Sequence, residues 1–315
     1  MAIPGDFRDW LSERFGPCAR FGEPMSRHTS LGVGGPAEAW ISVPDLPGLI
    51  ELVSKMRQAG LSWRITGRGT NLWVRDEGLS GVVMTLGKGF TGIGLIGEDS
   101  GLILVRAGAG ASLSALCRFA IKHGLSGMNF AVGIPGSVGG AVSGNAGTAA
   151  GCVADRITGL EIITPDAAPR RIDRNDLDFS YRSLSRAAEF FGSPERPSII
   201  TGAIFALKPG NGDEIAAEAE ALAARRKASQ PWGVKSAGCF FKNPKGASAG
   251  QLIDKAGLKG LRVNDALVSP VHANFLVNAA HASSSDFLAL VEMVKGEVKK
   301  TFGVELELEV ITPGD

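Results

Sequence analysis

Three segments of the sequence carry the side chains best suited to anion binding and proton transfer. Arg182 follows Tyr181, the only tyrosine, and would bind a carboxylate in a pocket or simply stack on the ring at a surface. The thiol of Cys239 could donate a proton, although a free cysteine is more often buried and inert. Residues 304–310 alternate apolar residues with three glutamates, which usually form a solvated face, and the alternation selects none of them.

Glycine-rich stretches are the other candidates, because their backbone could bind an anion. The densest is Gly133–Gly147, and Gly67–Asn71 and Gly32–Gly35 are shorter clusters. Free N–H groups in such turns can converge on a phosphate. One cluster alone would indicate a tight turn, but three in one chain favour a shared ligand that bears phosphate. The GxGxxG of Gly92–Gly97 leads into a turn instead of a helix, so we interpret it as part of a β-ribbon.

Several common sites are excluded by their missing patterns. The sequence has no GxxxxGK[ST], which excludes a P-loop, whereas a Ser–His–Asp triad stays open. The four histidines and four cysteines form no HxxxH, HExxH or CxxC spacing, so no metal site is predicted.

Composition indicates a soluble globular protein. The 315 residues are long enough for two or three domains, and 44% are hydrophobic and 21% charged. A net charge of +1 gives no indication of binding to nucleic acid or to a membrane. No apolar run is long enough for a membrane span, the N-terminus lacks a signal-peptide core, and no disulfide framework is evident. We therefore expect a cytoplasmic protein.

Helices and strands alternate in the predicted secondary structure, which favours a parallel or mixed sheet near the N-terminus. The predicted helices are 6–15, 45–59, 112–123, 213–227, 250–256 and 286–301. The predicted strands are 38–43, 62–66, 72–74, 81–86, 102–107, 157–164, 170–172, 198–207, 274–278 and 304–310. Pro209–Gly212 is the strongest linker signal.

Taken in order, the motifs resemble the UDP-N-acetylenolpyruvoylglucosamine reductase (MurB) family of flavoenzymes in bacterial cell-wall synthesis. The matching segments are Thr29–Gly35, Gly67–Leu72, Gly133–Ala141, Asn145–Gly147, Phe179–Arg182, Ser236–Pro244, His272–Phe275 and Leu306–Val310. Each motif is weak alone, but the ordered set is specific and spans almost the whole chain.

The resemblance implies an α+β fold with a PCMH/vanillyl-alcohol-oxidase-like FAD-binding module of two subdomains and an α/β substrate-binding domain. The expected ranges are 1–86 and 87–210 for the two FAD subdomains, 211–303 for the substrate domain, and 304–315 for a C-terminal strand with the catalytic glutamate.

The resemblance also implies non-covalent FAD, with its pyrophosphate on backbone amides of the glycine clusters. The residues carried over to cofactor binding are Gly34, Gly35, Gly67, Arg68, Gly69, Thr70, Asn71, Gly133, Ile134, Pro135, Gly136, Ser137, Gly139, Gly140, Asn145, Ala146 and Gly147. The stretch Gly133–Gly147 is then expected to wrap the FAD pyrophosphate, supplying position and no proton chemistry.

The implied reaction has two halves. NADPH reduces FAD and leaves, and then hydride passes to the vinyl carbon of UDP-N-acetylglucosamine enolpyruvate, giving UDP-N-acetylmuramate for peptidoglycan. Such chemistry needs a cation at the carboxylate and enolate and an acid beside the carbon. The motif match places the catalytic roles on Arg182, Cys239 and Glu309, and the substrate contacts on Tyr181, Lys227 and Asn243. A monomer without metal is expected.

This chain departs from the family pattern at Cys239, where many members have serine, and the more acidic thiol preserves the role of a proton donor. It resembles the branch without an inserted tyrosine loop, and no role is predicted for residues 184–197. Two alternatives stay open: another flavin oxidoreductase with a different small substrate, and a non-catalytic protein that binds nucleotide sugars.

Overall fold

The computed structural model describes residues 2–185 and 191–313. Residues 186–190, inside the segment 184–197 without a predicted role, lie outside the described residues. The α-helices are α1 (Gly5–Phe15), α2 (Leu46–Gln58), α3 (Leu113–Lys122), α4 (Val138–Ser143), α5 (Gly212–Ser229), α6 (Ala249–Lys255) and α7 (Ser284–Phe302).

The strands in the first half of the chain are β1 (Ala19–Pro24), β2 (Pro36–Val43), β3 (Trp63–Thr66), β4 (Leu79–Leu86), β5 (Ile93–Asp99), β6 (Leu102–Gly108), β7 (Leu125–Ser126), β8 (Gly147–Thr148) and β9 (Gly151–Cys152). The strands in the second half are β10 (Ile157–Ile163), β11 (Pro169–Asp173), β12 (Asp178–Ser180), β13 (Ser183–Ser185), β14 (Gly192–Ser193), β15 (Arg196–Pro197), β16 (Ile199–Pro209), β17 (Lys235–Cys239), β18 (Arg262–Val263), β19 (Ala266–Val268) and β20 (Phe275–Asn278).

The chain forms two compact units, each made of three segments. Unit 1 comprises Met1–Phe21, Glu38–Gly67 and Ser80–Ala224, and unit 2 comprises Gly22–Ala37, Arg68–Leu79 and Arg225–Asp315. The expected α+β class is confirmed by this mixture of helices and sheets. The division into four consecutive ranges stays a prediction.

Unit 1 has two hydrophobic cores around two sheets. The first sheet, in the order β1-β2-β4-β3, includes the parallel pair β3–β4 and packs with α1 and α2 through Leu11, Leu52 and Trp63. The second sheet has the order β11-β10-β16-β6-β5 with antiparallel pairs. Its core includes Leu116 of α3 and Val142 of α4. The predicted β-ribbon at residues 92–97 is confirmed, because these residues enter β5.

Unit 2 is built on the antiparallel sheet β17-β20-β19-β18, and α7 contributes to its core. The rings of Phe240 and Phe287 stack at a centroid distance of 5.9 Å, and Trp73 lies 5.6 Å from Phe240. The indole N–H of Trp73 donates to Ser284 Oγ at 2.7 Å. The segment Arg68–Leu79 is therefore anchored in the core of unit 2.

The six predicted helices are confirmed with ends within two residues. Local caps explain this accuracy: Asp45 accepts from the N–H of Gly48 at the start of α2, and Ser112 accepts from Ala115 at the start of α3. The structure adds α4 inside the glycine-rich stretch. The sequence did not predict this helix, because glycine disfavours helices.

Two predicted strands are wrong. Within the described residues, the predicted strand 72–74 and the C-terminal segment predicted as a strand over 304–310 contribute only to isolated pairs, Leu72 with Ile311 and Phe241 with Leu308. The C-terminal segment changes its hydrogen-bonding partner from Phe240 at Glu309 to Asn71 at Ile311. A regular ladder needs one partner over consecutive residues, so the alternating pattern sorts buried from exposed side chains without forming a strand.

Candidate functional site

The second half of Gly133–Gly147 folds into α4, which uses most of its own amides. Ser137 is the N-cap, and its Oγ accepts from the N–H of Gly140 at 3.2 Å. The N–H groups of Val138 and Gly139 donate to backbone carbonyls of Ala111 and Ala109. A Cβ on Gly139 would lie 3.0 Å from that of Ala109, so this glycine allows close packing.

In the turn before α4, several backbone N–H groups are available to bind a ligand. Within residues 2–185 and 191–313, the N–H groups of Gly133, Gly136 and Ser137 donate to no protein acceptor. Gly133 and Gly136 both have positive φ, at 78° and 132°. A side chain on Gly67 would clash with Ser137 Oγ, so two of the predicted clusters meet here. This turn is suited to an anion.

The loop after Gly67 offers a second set of amides, in unit 2. The N–H groups of Arg68, Gly69 and Asn71 have no acceptor among the residues that the structure describes. Gly69 has φ of 64°, and a side chain there would clash with the His28 carbonyl. Its own carbonyl accepts from the N–H of Ser30 at 3.0 Å, which fixes the loop.

Gly34 and Gly35 support this loop through packing. A Cβ on Gly34 would lie 2.8 Å from that of Val74, and one on Gly35 would clash with the Asp76 carbonyl. The N–H of Gly35 donates to Arg75 O at 2.9 Å. These two predicted cofactor residues therefore hold the segment Arg68–Leu79 in place.

Arg182 lies at the tip of a hairpin in unit 1. Ser180 pairs with Ser183, so Tyr181 and Arg182 form the two-residue turn between β12 and β13. Arg182 has φ of 58°, and its Nη1 donates to the Gly147 carbonyl at 3.0 Å. Its guanidinium carbon lies 5.1 Å from the centroid of the exposed Tyr181 ring. The structure thus brings the arginine to the end of the glycine-rich stretch.

Cys239 and Glu309 lie on neighbouring segments of unit 2. Cys239 ends β17, and the N–H of Glu309 donates to the carbonyl of the next residue, Phe240, at 2.8 Å. The side-chain amide of Asn71 donates through Nδ2 to the Glu309 backbone carbonyl at 3.0 Å. Both candidate side chains are half-buried. In contrast, burial raises the pKa of the Cys117 thiol to about 11, so that thiol stays neutral and unreactive.

The predicted substrate contacts lie on exposed positions. Lys227 belongs to the last turn of α5, and Asn243 precedes α6. The side-chain oxygen of Asn243 accepts from the N–H of Ala249 at 3.0 Å, which orients its amide group.

Two residues have positions that sequence reasoning missed. Asn145 was matched only to the cofactor, yet both ends of its amide group bond within the protein. Asp76 was not singled out, although its carboxylate accepts from the N–H groups of Ser284 and Ser285. These partners lie more than 200 residues along the chain, so no local pattern could have revealed the contact.

The described part of the chain contains no group of three or more His, Cys, Asp or Glu side chains that could hold a metal ion. None of its helices has the length and apolarity to span a membrane.

Comparison with known proteins identifies two matching family models and several similar proteins. A model described as the C-terminal domain of UDP-N-acetylenolpyruvoylglucosamine reductase matches residues 230–312, and an FAD binding domain model matches residues 41–173. The UDP-N-acetylenolpyruvoylglucosamine reductase of Desulfosudis oleivorans is 45% identical, with 98% of each chain covered. The one of Syntrophus aciditrophicus is 38% identical over 100% of this chain and 99% of its own.

A solved structure gives the same relationship. The crystal structure of UDP-N-acetylenolpyruvylglucosamine reductase from Thermus caldophilus is similar with a TM-score of 0.78 and 37% identity. The match covers 93% of this chain and 97% of that one.

Proposed function

This chain belongs to the UDP-N-acetylenolpyruvoylglucosamine reductase family, and we propose on that basis that it reduces UDP-N-acetylglucosamine enolpyruvate to UDP-N-acetylmuramate. The observation that carries the proposal is the identity of 45% over nearly the full length of a relative with that name. The enzyme is an oxidoreductase with an FAD-binding domain. We extend the proposal to NADPH as the reductant, to a cytoplasmic monomer, and to a role in peptidoglycan synthesis.

The glycine clusters fit a flavin dinucleotide. Each of two sets of backbone amides, Gly133–Ser137 in unit 1 and Arg68–Asn71 in unit 2, is by itself suited to a phosphate group. A side chain at Gly67 or Gly69 would clash with the protein, which supports a need for bare backbone at these turns. When bound, FAD supplies the two-electron carrier between NADPH and substrate. The other cofactor residues, Thr70, Ile134, Pro135, Gly140 and Ala146 among them, are proposed to form its surroundings.

The protein side chains are proposed to manage charge and protons at the substrate. Arg182 binds the carboxylate and stabilises the negative charge of the enolate, since a guanidinium can donate two parallel hydrogen bonds. The Cys239 thiol gives its proton to the enolate carbon and is restored from solvent. Glu309, on the segment next to Cys239, supplies a further hydrogen-bonding group for the enolate. Tyr181, Lys227 and Asn243 bind the UDP-sugar.

Anaerobic flavin spectroscopy tests the proposed function. Purified protein reconstituted with FAD should show flavin absorbance, NADPH should bleach it, and the enolpyruvyl sugar nucleotide should restore it without oxygen. Bleaching without restoration by this substrate would indicate another flavin oxidoreductase. Protein that stays colourless after reconstitution would favour a non-catalytic protein that binds nucleotide sugars.

Substitution of Cys239 tests the proton donor. We expect Cys239→Ser to keep measurable turnover, because a hydroxyl can still donate, and Cys239→Ala to lose about 10²- to 10⁴-fold in kcat. Steady-state turnover of FAD-loaded protein gives the comparison, with Cys18→Ala as the matched thiol control. Equal turnover of Cys239→Ala and the unsubstituted enzyme would contradict the role.

A further inference from the structure

Asn145 is a buried amide whose two ends bind different segments of unit 1. It is 7% exposed, and its Nδ2 donates to the Ser180 carbonyl at 2.9 Å. Its Oδ1 accepts from the N–H of Ala154 at 3.1 Å. Asn145 has φ of 38°, in the left-handed region that asparagine tolerates better than most residues. Its side chain thus connects the end of the glycine-rich stretch to the base of the hairpin turn.

A second hydrogen bond joins the same two segments two residues further along. Arg182 Nη1 donates to the Gly147 carbonyl at 3.0 Å. Gly147 is itself paired with Cys152 in the small β8–β9 ladder, where the Cys152 N–H donates to Asp155. Asn145 holds the backbone of the turn through Ser180, and Gly147 holds the guanidinium. Together these contacts clamp the turn to residues 145–147.

The clamp matters because Arg182 has a strained backbone and because its proposed role, binding a carboxylate, requires an accurately placed guanidinium. A non-glycine residue in the left-handed region is strained, and this conformation persists only where its surroundings enforce it. Recognition of a carboxylate by a guanidinium depends on position within roughly 0.5 Å. A hydrogen bond to the residue two positions before Arg182 restricts the turn that aims it.

We propose that Asn145 is a positioning residue for Arg182, acting on the half-reaction with the enolpyruvyl substrate and not on flavin retention. This inference rests on the proposed function. It gives Asn145 a role different from the cofactor contact that its motif implies. The basis is the hydrogen bond from its Nδ2 to the Ser180 carbonyl, which ties it to the arginine turn, while the Ala154 N–H holds the other end of the amide group.

Asn145→Asp isolates the contact with the turn. Aspartate keeps the acceptor for the Ala154 N–H and tolerates positive φ, but it places an acceptor opposite the Ser180 carbonyl. In anaerobic stopped-flow measurements, reoxidation of reduced flavin by the enolpyruvyl substrate should slow about 10- to 100-fold. The rate of flavin reduction by NADPH and the Kd of the apoprotein for FAD should stay within about twofold. UDP-N-acetylmuramate, which bears the carboxylate, should bind the oxidised variant about tenfold more weakly.

A double substitution and a control complete the test. If Asn145 acts through Arg182, adding Asn145→Asp to Arg182→Lys should slow reoxidation by less than about threefold beyond Arg182→Lys alone. Thr148→Ala removes a hydroxyl from the neighbouring loop without touching the turn and should leave reoxidation unchanged.

Two results would overturn the inference alone. One is normal reoxidation by Asn145→Asp, and the other is loss of FAD affinity by more than about tenfold, which would make Asn145 a flavin ligand. A wild-type flavin that the enolpyruvyl sugar does not reoxidise would instead overturn the proposed function, and the inference with it.

Discussion

Arg182 combines a strained backbone with the catalytic role that we propose for it. Its φ of 58° is a conformation that glycine adopts freely and that costs other L-residues roughly 1–2 kcal/mol. Glycine would suit the hairpin better, but it has no side chain to bind a carboxylate. The strain is therefore compatible with a position at which the charged group is needed.

Substituting Arg182 by glycine and by alanine separates the two effects. We expect Arg182→Gly to be more stable than Arg182→Ala by about 1 kcal/mol, because only glycine relieves the backbone strain. Both variants should lose at least about 10²-fold in kcat if the guanidinium stabilises the enolate. Urea unfolding and steady-state turnover measure these quantities.

Arg174→Ala is the matched control for this series. Arg174 also donates to a backbone carbonyl, of Leu177, and lies 5.4 Å from the ring of Phe179. Its loss should lower stability slightly and leave turnover intact. Equal stability of the Arg182 glycine and alanine variants would contradict the strain argument.

At the scale of elements, the N-terminus of α7 holds the loop segment Arg68–Leu79. Ser283 and Asp286 form a capping box, and the Asp76 carboxylate accepts from the amides of Ser284 and Ser285 and from the Ser285 hydroxyl. These contacts satisfy N–H groups that a helix start leaves open, and the negative charge suits the helix dipole. The helix thereby fixes the loop that carries Arg68–Asn71.

Substitution of Asp76 tests this connection. Burial by itself raises the pKa of Asp76, but the hydrogen bonds from Ser285 and the two amides outweigh it, and the net pKa lies below the ordinary value of 3.8. A carboxyl whose pKa is lower in the folded state stabilises the protein at pH values above its unfolded pKa. This stabilisation is lost as the pH falls through the folded-state pKa. We expect Asp76→Asn to cost about 1–2 kcal/mol at pH 7, with the difference shrinking below roughly pH 4.

Urea midpoints at pH 7 and at acidic pH measure the effect of Asp76→Asn, and FAD affinity reports on the loop. Glu305→Gln, which removes one partner of the exposed pair with Lys299, serves as a charge control without a measurable midpoint change. A penalty for Asp76→Asn that stayed constant with pH would exclude the carboxylate as its source.

Local signals predicted the elements well, whereas contacts between distant segments were out of reach. The helix starts near Asp45 and Ser112 follow from short patterns, and so do the strands β10, β11 and β16. The partner change at Glu309 depends on Phe240 and Asn71, which no local alternation encodes. The same alternation could not select Glu309 among three glutamates, and only the family resemblance did so.

For the glycine-rich stretch, the sequence predicted a close approach of backbone segments, but it did not predict which amides are available. Its density of glycine indicated close backbone approach, and Gly139 against Ala109 is such an approach. Which amides remain available depends on the position of the carbonyls of Ala109 and Ala111. Because these lie on another segment, the sequence could not distinguish Gly139, whose amide is used, from Gly136.

For the whole molecule, the main feature is that neither unit is a continuous piece of chain. The hydrophobic core of unit 2 combines Leu31 and Trp73 with Phe240, Phe287 and Leu290. Each fully buried side chain of this size contributes roughly 1.5–3 kcal/mol, against a total stability of about 5–15 kcal/mol. The early segments are thus essential parts of the core.

We therefore expect residues 225–315 not to fold when expressed alone. Without the segments Gly22–Ala37 and Arg68–Leu79, Trp73 cannot pack against Phe240, and the apolar surface of Phe240 and Phe287 is exposed to solvent. Circular dichroism should show no cooperative thermal transition for this fragment, while the full chain should show one. A cooperative transition of the fragment would contradict the composite core.

The composite core of unit 2 also affects the order of events at the ribosome. Leu31 and Trp73 emerge early, but their partners Phe240 and Phe287 are made only after most of unit 1 has been synthesised. At a synthesis rate of about 5–20 residues per second, Phe240 and Phe287 are added roughly 10–40 s after Trp73. During that time apolar segments destined for unit 2 are exposed on the nascent chain, where chaperones can bind them. The core of unit 2 is thus completed last, after the segment up to Val310 has left the exit tunnel.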